Sequence, residues 1–276
     1  MLHILMSTYN GERYLSAQIE SILTQDYTDW RLFVRDDGSI DGTCRILTHY
    51  AQQDKRITVV RDGENLGACR SFGRLLEQYG EAEYFAFADQ DDVWLPEKLT
   101  VCMNEMHRQE SETGTTTPIV VHTDLRVVDE DLQELAPSFW KYSNIKPELL
   151  NTRIRYLAIC NTVTGCACLF NRAARDCSVP VSKDAYMHDA WVALMTLYHK
   201  GRIAALTQAT VLYRQHRGNV LGAVQYKTFG RGIARRRFEA EVCYRRARGY
   251  VYKNKVQFMW WKVIYFIHRS FWGIGK

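Results

Sequence analysis

A chain of 276 residues with 46% hydrophobic content is long enough to bury the core of one large α/β domain and to carry an appendage. Its eight cysteines include no C-x-x-C pair, which excludes a four-thiolate zinc module; they read as small core residues, and with no basic-then-apolar leader ahead of "HILMSTYN" a reducing, cytoplasmic setting is expected. The net charge of +5 is uneven: residues 227–276 hold thirteen lysines and arginines against two glutamates, +11, so residues 1–226 carry −6 and a boundary is expected near residue 226.

In chain order, "HILMSTY" (3–9), "RLFVRDD" (31–37), "RITVVRD" (56–62) and "YFAFAD" (84–89) are β-branched or aromatic runs that predict strands. The segments near 12–24, 41–54, 68–79 and 97–108 have helical character between them. This alternation predicts an α/β fold with a Rossmann-like, mostly parallel sheet flanked by helices on both faces. Farther on, "PIVVHTDLRVVDEDL" (118–132) predicts a strand and turn, "PSFWKYSNIKP" (137–147) an ordered loop carrying aromatics, and "VTGCACLFNRAA" (163–174) a strand turning into a helix. Ligands of such sheets gather outside the carboxyl ends of the strands. The residues ending the runs are Ser7, Thr8 and Asn10; Asp36 and Asp37; Asn65 and Gly67; and Asp89, Asp91 and Asp92, so polar and acidic groups converge on one rim.

Three carboxylates inside "FADQDDVWLPEKL" (87–99) repel one another unless something positive relieves them. Asp89, Asp91 and Asp92 offer the hard oxygen ligands that suit Mg²⁺ or Mn²⁺, ions that share their coordination with substrate phosphates. The alternative is a solvated acidic turn in which Asp92 caps a helix beginning near Pro96. "VRDDGSIDGT" (34–43) is a second acidic strand end, where Gly38 and Gly42 permit a tight turn. A carboxylate there can accept the imide N–H of a uracil or thymine ring, or Asp41 can cap the next helix. No G-x-G-x-x-G follows the first strand and no G-x-x-x-x-G-K-[ST] occurs, which argues against a dinucleotide redox site and a P-loop.

"MSTYNGERYLSAQIESILTQDYTDWRLFVRDDGSIDGT", "ENLGACRSF" and "FADQDDVWLPEKL", in this order, resemble the nucleotide-binding half of the family 2 glycosyltransferases, which have the GT-A fold. "PSFWKYSNIKP", "VTGCACLFNRA", "MHDAWVAL" and "LYRQHRGNVLG" resemble their bacterial rhamnosyltransferase-like branch and extend the likeness to about residue 222. The resemblance implies a catalytic domain over 1–226, with a nucleotide-binding half at 1–100 and an acceptor and catalytic half at 101–226. It implies an inverting, metal-dependent glycosyltransferase that moves a sugar from a nucleoside-diphosphate donor to a saccharide acceptor in cell-surface polysaccharide biosynthesis. Rhamnose from dTDP-rhamnose is the expected donor sugar, a UDP-hexose the alternative with the same chemistry, and a catalytically silent sugar-nucleotide-binding subunit the alternative of a different class.

By position, the resemblance implies that Ser7 meets the nucleotide, Asp37 pairs with the base and Arg70 touches base or phosphate. Asp89 would approach the ribose or the metal, Asp91 would bind an Mn²⁺ or Mg²⁺ that bridges the diphosphate, and Asp92 would lie beside them. Asp189 in "AYMHDAWVALM" (185–195) matches the family's general base, with His188 as its acceptor-side neighbour. The residue-level alternative is that Asp189 caps a helix whose Trp191, Leu194 and Met195 face the core. His216 would ligate the metal or touch the diphosphate, and Arg214 or Arg217 would neutralise the phosphates. Here the chain departs from the usual Y-R-Q-H-G-N-N, because Arg217 and Gly218 follow His216. Thr164, Gly165 and Cys166 line a sugar or acceptor pocket or form a buried strand, and Trp140 stacks on a sugar or belongs to the core.

Residues 227–276 contain "FGRGIARRRFEAEVCYRRARGYVYKNK" and then "VQFMWWKVIYFIHRSFWGIG", whose apolar run of about a dozen residues is interrupted by Lys262. A bilayer span needs roughly 18–20 apolar residues. Basic residues mixed with Trp, Tyr and Phe therefore predict a helical extension resting on an anionic membrane surface, peripheral on the inner face of the cytoplasmic membrane and near lipid-linked saccharide acceptors. A helical pair packed on the catalytic domain or on a second subunit is the alternative. No nucleic-acid-binding module accompanies the charge, so nucleic acid is not an expected partner.

Overall fold

The computed structural model describes residues 1–219, 223, 241–245 and 247–271. Four strands form its N-terminal half: β1 (Leu2–Thr8), β2 (Trp30–Asp36), β3 (Ile57–Val60) and β4 (Tyr84–Ala88). β1 pairs in parallel with β2 on one side and β4 on the other, and β3 extends β2. Such strands are apolar on both faces because helices cover both. In β1, Leu2, Ile4 and Met6 enter one core with the helices α1 (Leu15–Leu23), α2 (Thr43–Gln53) and α4 (Lys98–Thr113). Leu5 enters the opposite core with Phe33, Phe85 and Phe87 and with α3 (Ala68–Gln78). The strands and helices expected in residues 1–108 thus form in the expected order, α4 running on to Thr113.

The second half of the sheet is antiparallel where it meets the first. Two further strands, β6 (Ile119–Val128) and β8 (Cys168–Asn171), join as β4–β8–β6, and β8 is antiparallel to both neighbours. A 13-residue strand, β9 (Arg202–Arg214), then runs parallel to β6, and the short β5 (Val93–Trp94) closes the far edge against it. The three-residue β7 (Glu134–Ala136) pairs with β6. The order β3-β2-β1-β4-β8-β6-β9-β5 places β4 at the centre, so the loop after β4 lies between the two halves.

The segment expected as an aromatic loop, 137–147, holds one turn of helix, α5 (Phe139–Tyr142), and leads into the short helices α6 (Pro147–Leu150) and α7 (Ile154–Leu157). Ser138 makes α5 possible by accepting the Lys141 N–H on its hydroxyl, as an N-cap does. β8 turns at once into α8 (Arg172–Asp176), capped by the Asn171 side chain. The helix α9 (His188–Tyr198) buries Trp191, Leu194 and Met195. The last described helix, α10 (Lys255–Phe271), packs Phe258, Trp261 and Tyr265 against the α7 and α9 side of the molecule. The expected boundary near residue 226 and the basic stretch 227–240 lie outside the described residues.

Candidate active site

The parallel register aligns Thr8 with Asp36 and Met6 with Ala88, so three strand ends open onto one rim. There a cleft of about 440 Å³ is lined at one end by Ser7, Asp37, Asn65 and Gly67, along its floor by Asp89, Asp91 and Tyr213, and at the other end by Thr164, Gly165, His188 and Asp189. Residues from seven separated stretches of the chain therefore meet in one space.

Asp37 is 2% exposed and its carboxylate is held from three directions. Oδ1 accepts from the Arg35 guanidinium and from Leu66 N–H (2.8 Å); Oδ2 accepts from Gly67 N–H (2.8 Å). An ionised carboxylate has about four acceptor positions, so one position on Oδ2 remains for a ligand donor. Gly67 has φ +76, a left-handed conformation that a glycine adopts without strain, and it brings its N–H onto Asp37. Arg35 itself is fully buried, bridging Asp37, Ser71, Asp62 and the Glu64 carbonyl. Ser7 joins this end through Ser71, Oγ to Oγ at 2.6 Å.

The acid cluster sits where β4 ends. Asp89 borders the cleft, while Asp92 is fully buried and accepts from Arg214 N–H at 3.0 Å through Oδ1, its Oδ2 meeting no partner. Asp91 Oδ2 lies 2.8 Å from His216 Nε2, with both side chains about 15% exposed. Burial, and then the charge of Asp91, push the Asp89 and Asp92 carboxyls upward, with Asp189 adding to the first and Asp89 to the second. Asp92 does not cap α4: the N-cap position is Glu97, and Pro96 precedes it.

A carboxylate O and the Cys166 sulfur fall within 4.8 Å of one another among Asp89, Asp92 and Cys166. Burial and the two acids hold the Cys166 thiol well above its usual range, and it hydrogen-bonds towards Asp92. The donors facing the cleft are Asp89 and Asp91, and His216 reaches Asp91 from the adjoining cavity. Two carboxylates and one imidazole suit Mn²⁺ and, with fewer protein ligands, Mg²⁺. The residues present fit such an ion.

At the other end Asp189 Oδ2 accepts from Gly165 N–H at 3.0 Å, while Oδ1 accepts from the next N–H of α9, that of Ala190, at 2.6 Å. Trp191, Leu194 and Met195 face the core as expected, while Asp189 sits in the first turn of α9, past the N-cap Met187, and lines the cleft. His188 has no solvent-facing role. It stacks on Phe72 (centroids 3.9 Å), meets Phe87 edge-on at 4.4 Å, and burial lowers it to about 3, so it is a neutral prop beneath Gly165 and Asp189.

Four other expected site residues lie elsewhere. Arg70 is exposed on the first turn of α3 and does not line the cleft. Trp140 is buried and packs edge-on against His122 at 5.3 Å, a core aromatic rather than a sugar platform. The expected phosphate role of Arg214 is displaced by a clamping one: it is 4% exposed, its Nε donates to Asp91 C=O (2.7 Å), its Nη1 to Glu130 C=O (2.6 Å), and it rests on the Tyr14 ring. Arg217 is exposed and lines a neighbouring cavity of about 910 Å³ with Arg13, Tyr14 and Asp129. Residues 220–222 of "LYRQHRGNVLG" lie outside the described residues.

Sequence reasoning passed over Gln90, whose amide makes a reciprocal pair with the Tyr9 backbone (2.9 and 3.0 Å) and fixes the β1 end to the acid loop. Its position inside the acidic motif was the available signal. It also passed over Tyr213, 7% exposed on the cleft floor.

Comparison with known proteins places this geometry in a wider set. The family described as Glycosyl transferase family 2 matches residues 3–177. The putative teichuronic acid biosynthesis glycosyltransferase TuaG of Bacillus subtilis is 36% identical over 99 residues, 36% of this chain and 39% of that protein. The dTDP-rhamnosyl transferase RfbG of Shigella flexneri is 36% identical over 101 residues, 34% of each chain. The crystal structure of Staphylococcus aureus TarS 1–349 in complex with UDP-GlcNAc superposes with a TM-score of 0.65 at 17% identity, covering 98% of this chain and 72% of TarS, a likeness of fold. The match to TuaG and RfbG spans less than half the length of either protein.

Proposed function

This chain belongs to glycosyl transferase family 2, and from that premise we propose that it is an inverting, metal-dependent transferase that moves a sugar from a nucleoside diphosphate to a saccharide hydroxyl. One observation carries the reading: the acceptor-dense Asp37 pocket, Asp89, Asp91 and Asp189 line a single cleft, and Asp91 there meets His216 from the adjoining cavity. These are a base pocket, a diphosphate site and a general base, the three parts that transfer from a sugar nucleotide needs.

The free position on Asp37 Oδ2 supports a uracil or thymine ring, whose imide N–H is the complementary donor. Ser7 and Ser71 border the same end of the cleft. Asp89, Asp91 and His216 are the residues that would hold a divalent cation, which would supply Lewis-acid neutralisation to a leaving diphosphate. Asp189, oriented by Gly165 N–H, accepts the proton of the acceptor hydroxyl. The acceptor oxygen forms its bond to the anomeric carbon from the face opposite the diphosphate, the C–O bond to the diphosphate breaks, and the configuration inverts.

RfbG is described by a dTDP sugar and TarS was crystallised with a UDP sugar; both nucleotides are pyrimidines, which favours the base assignment and leaves dTDP-rhamnose and a UDP-hexose as the two donor readings. TuaG's description supports a product in surface polysaccharide, with a saccharide or lipid-linked saccharide as acceptor. That acceptor suits an enzyme on the inner face of the cytoplasmic membrane. A panel of dTDP- and UDP-sugars with Mn²⁺ tests the function through released nucleotide. Transfer with one pyrimidine donor, lost in Asp189→Asn while nucleotide binding persists, is the expected result. Binding without turnover for any donor and acceptor would favour a silent sugar-nucleotide-binding subunit instead.

A further inference from the structure

We propose that the outward face of α10 is a docking surface for an anionic lipid bilayer. The helix presents two apolar faces where a helix on a soluble protein presents one. Phe258, Trp261 and Tyr265 face inward, onto the cores around α7 and α9; Tyr156 of α7 meets Tyr265 and Trp261, and Arg155 stacks on Trp261 at 4.5 Å. Val256, Met259, Trp260, Val263, Phe266 and Ile267 point the other way and are between 46% and 79% exposed. At 3.6 residues per turn these six fall within an arc of about 120°, which Ser270 shares as its one polar member.

A continuous exposed stripe of this kind marks an interaction surface. The charge on the helix selects the partner. Lys255, Lys262 and Arg269 follow one border of the stripe, Lys255 pairing with Glu241 at 2.7 Å and Arg269 donating to the Asn144 carbonyl at 2.6 Å, and α10 itself contains no acidic residue. Two copies of this chain meeting through α10 would set basic edge against basic edge, whereas lipid headgroups of negative charge meet the edge favourably while the stripe enters the acyl boundary. No described helix is long and apolar enough to cross a membrane, and α10, at 17 residues or about 25 Å, lies along the surface. Inward of this helix, α7 packs on α9, whose first turn carries Asp189, so the docked face and the cleft belong to one rigid side of the molecule.

The test is flotation of the full chain with vesicles of phosphatidylcholine, with and without phosphatidylglycerol. The parent protein is expected to float with the anionic vesicles and to be released by salt. Val263→Glu/Ile267→Glu should reduce flotation by about tenfold or more, since it puts two charges into the buried face. Trp260→Phe keeps the stripe apolar and should float like the parent while losing the vesicle-induced blue shift in fluorescence, which covers the case of the double variant failing to fold. Equal flotation of parent and double variant, no flotation of the parent, or light scattering that shows a dimer dissociated by the double variant without vesicle binding would each overturn the proposal. Vesicle binding needs neither donor nor acceptor, so its failure leaves the transfer chemistry standing, and the reverse holds too.

Discussion

His216 Nε2 and Asp91 Oδ2 lie 2.8 Å apart although 125 residues separate them in the chain. Arg214 makes that meeting possible, since its backbone N–H binds Asp92 and its guanidinium binds the Asp91 carbonyl, locking the end of β9 onto the loop after β4. If the pair holds a divalent cation, His216→Ala should weaken Mn²⁺-dependent nucleotide binding by roughly 10–100-fold, and chelation should remove that binding in the parent. Calorimetric titration of nucleotide with and without Mn²⁺ is the measurement. Unchanged affinity in His216→Ala would exclude the imidazole from the ion's shell.

Gly165 offers a second handle. A Cβ placed there would sit 3.1 Å from His188 Nε2 and 3.6 Å from Asp189 Cβ, and His188 cannot retreat because Phe72 and Phe87 hold it on two sides. The strain must pass to Asp189. Gly165→Ala is therefore expected to lower kcat by about 10–100-fold with the donor KM nearly unchanged, since misplacement of a catalytic group by a fraction of an ångström costs rate more than binding. A rise in donor KM at constant kcat would mean that the added methyl blocks the cleft instead.

Much of this was legible in the sequence because it is local. Largely apolar runs give β1, β2 and β4, and acids that close such runs, as Asp89 does directly after Ala88 and Asp37 directly after β2, lie at a strand's carboxyl end. The positions of Arg214 and Trp140 were not legible for the opposite reason. An arginine in a basic loop looks available to phosphate until the partner carbonyls of Asp91 and Glu130 are known, and they come from 123 and 84 residues away. The same holds for Cys166, whose thiol is silent in sequence and gains meaning only beside Asp89 and Asp92.

Arg35 is the buried cation on which the base pocket depends. It is fully buried and ion-paired to Asp37 and Asp62, the latter partly exposed. Arg35→Met keeps the apolar bulk but leaves Asp37 buried with a negative charge and two backbone donors only. Breaking one side of a buried pair costs about 3–5 kcal/mol, which for a chain of this size lowers Tm by roughly 10 °C. Differential scanning calorimetry should show that fall, together with weakened uridine or thymidine diphosphate binding. A Tm within a degree or two of the parent would mean that Asp37 relaxes to solvent without cost.

The buried histidines set an acid limit on stability. Burial lowers both His122 and His188 to about 3, well under the ordinary value of 6.5. Above that ordinary value both the folded and the unfolded chain keep these rings neutral, and they contribute no pH dependence. As pH falls from 6.5 towards 3 the unfolded chain takes up a proton at each ring while the folded chain does not, so stability is lost at about 1.4 kcal/mol per pH unit for each histidine. His188 has no hydrogen-bond partner for either ring nitrogen, stacks on Phe72 and meets Phe87 edge-on, so His188→Phe should keep the packing and remove one titrating group. Urea unfolding at a series of pH values between 4 and 7 is expected to give a shallower slope for the variant, by about one proton. Parallel curves would show that His188 is protonated in the folded chain as readily as in the unfolded one, which would require a partner for its ring that the packing around Gly165 does not provide.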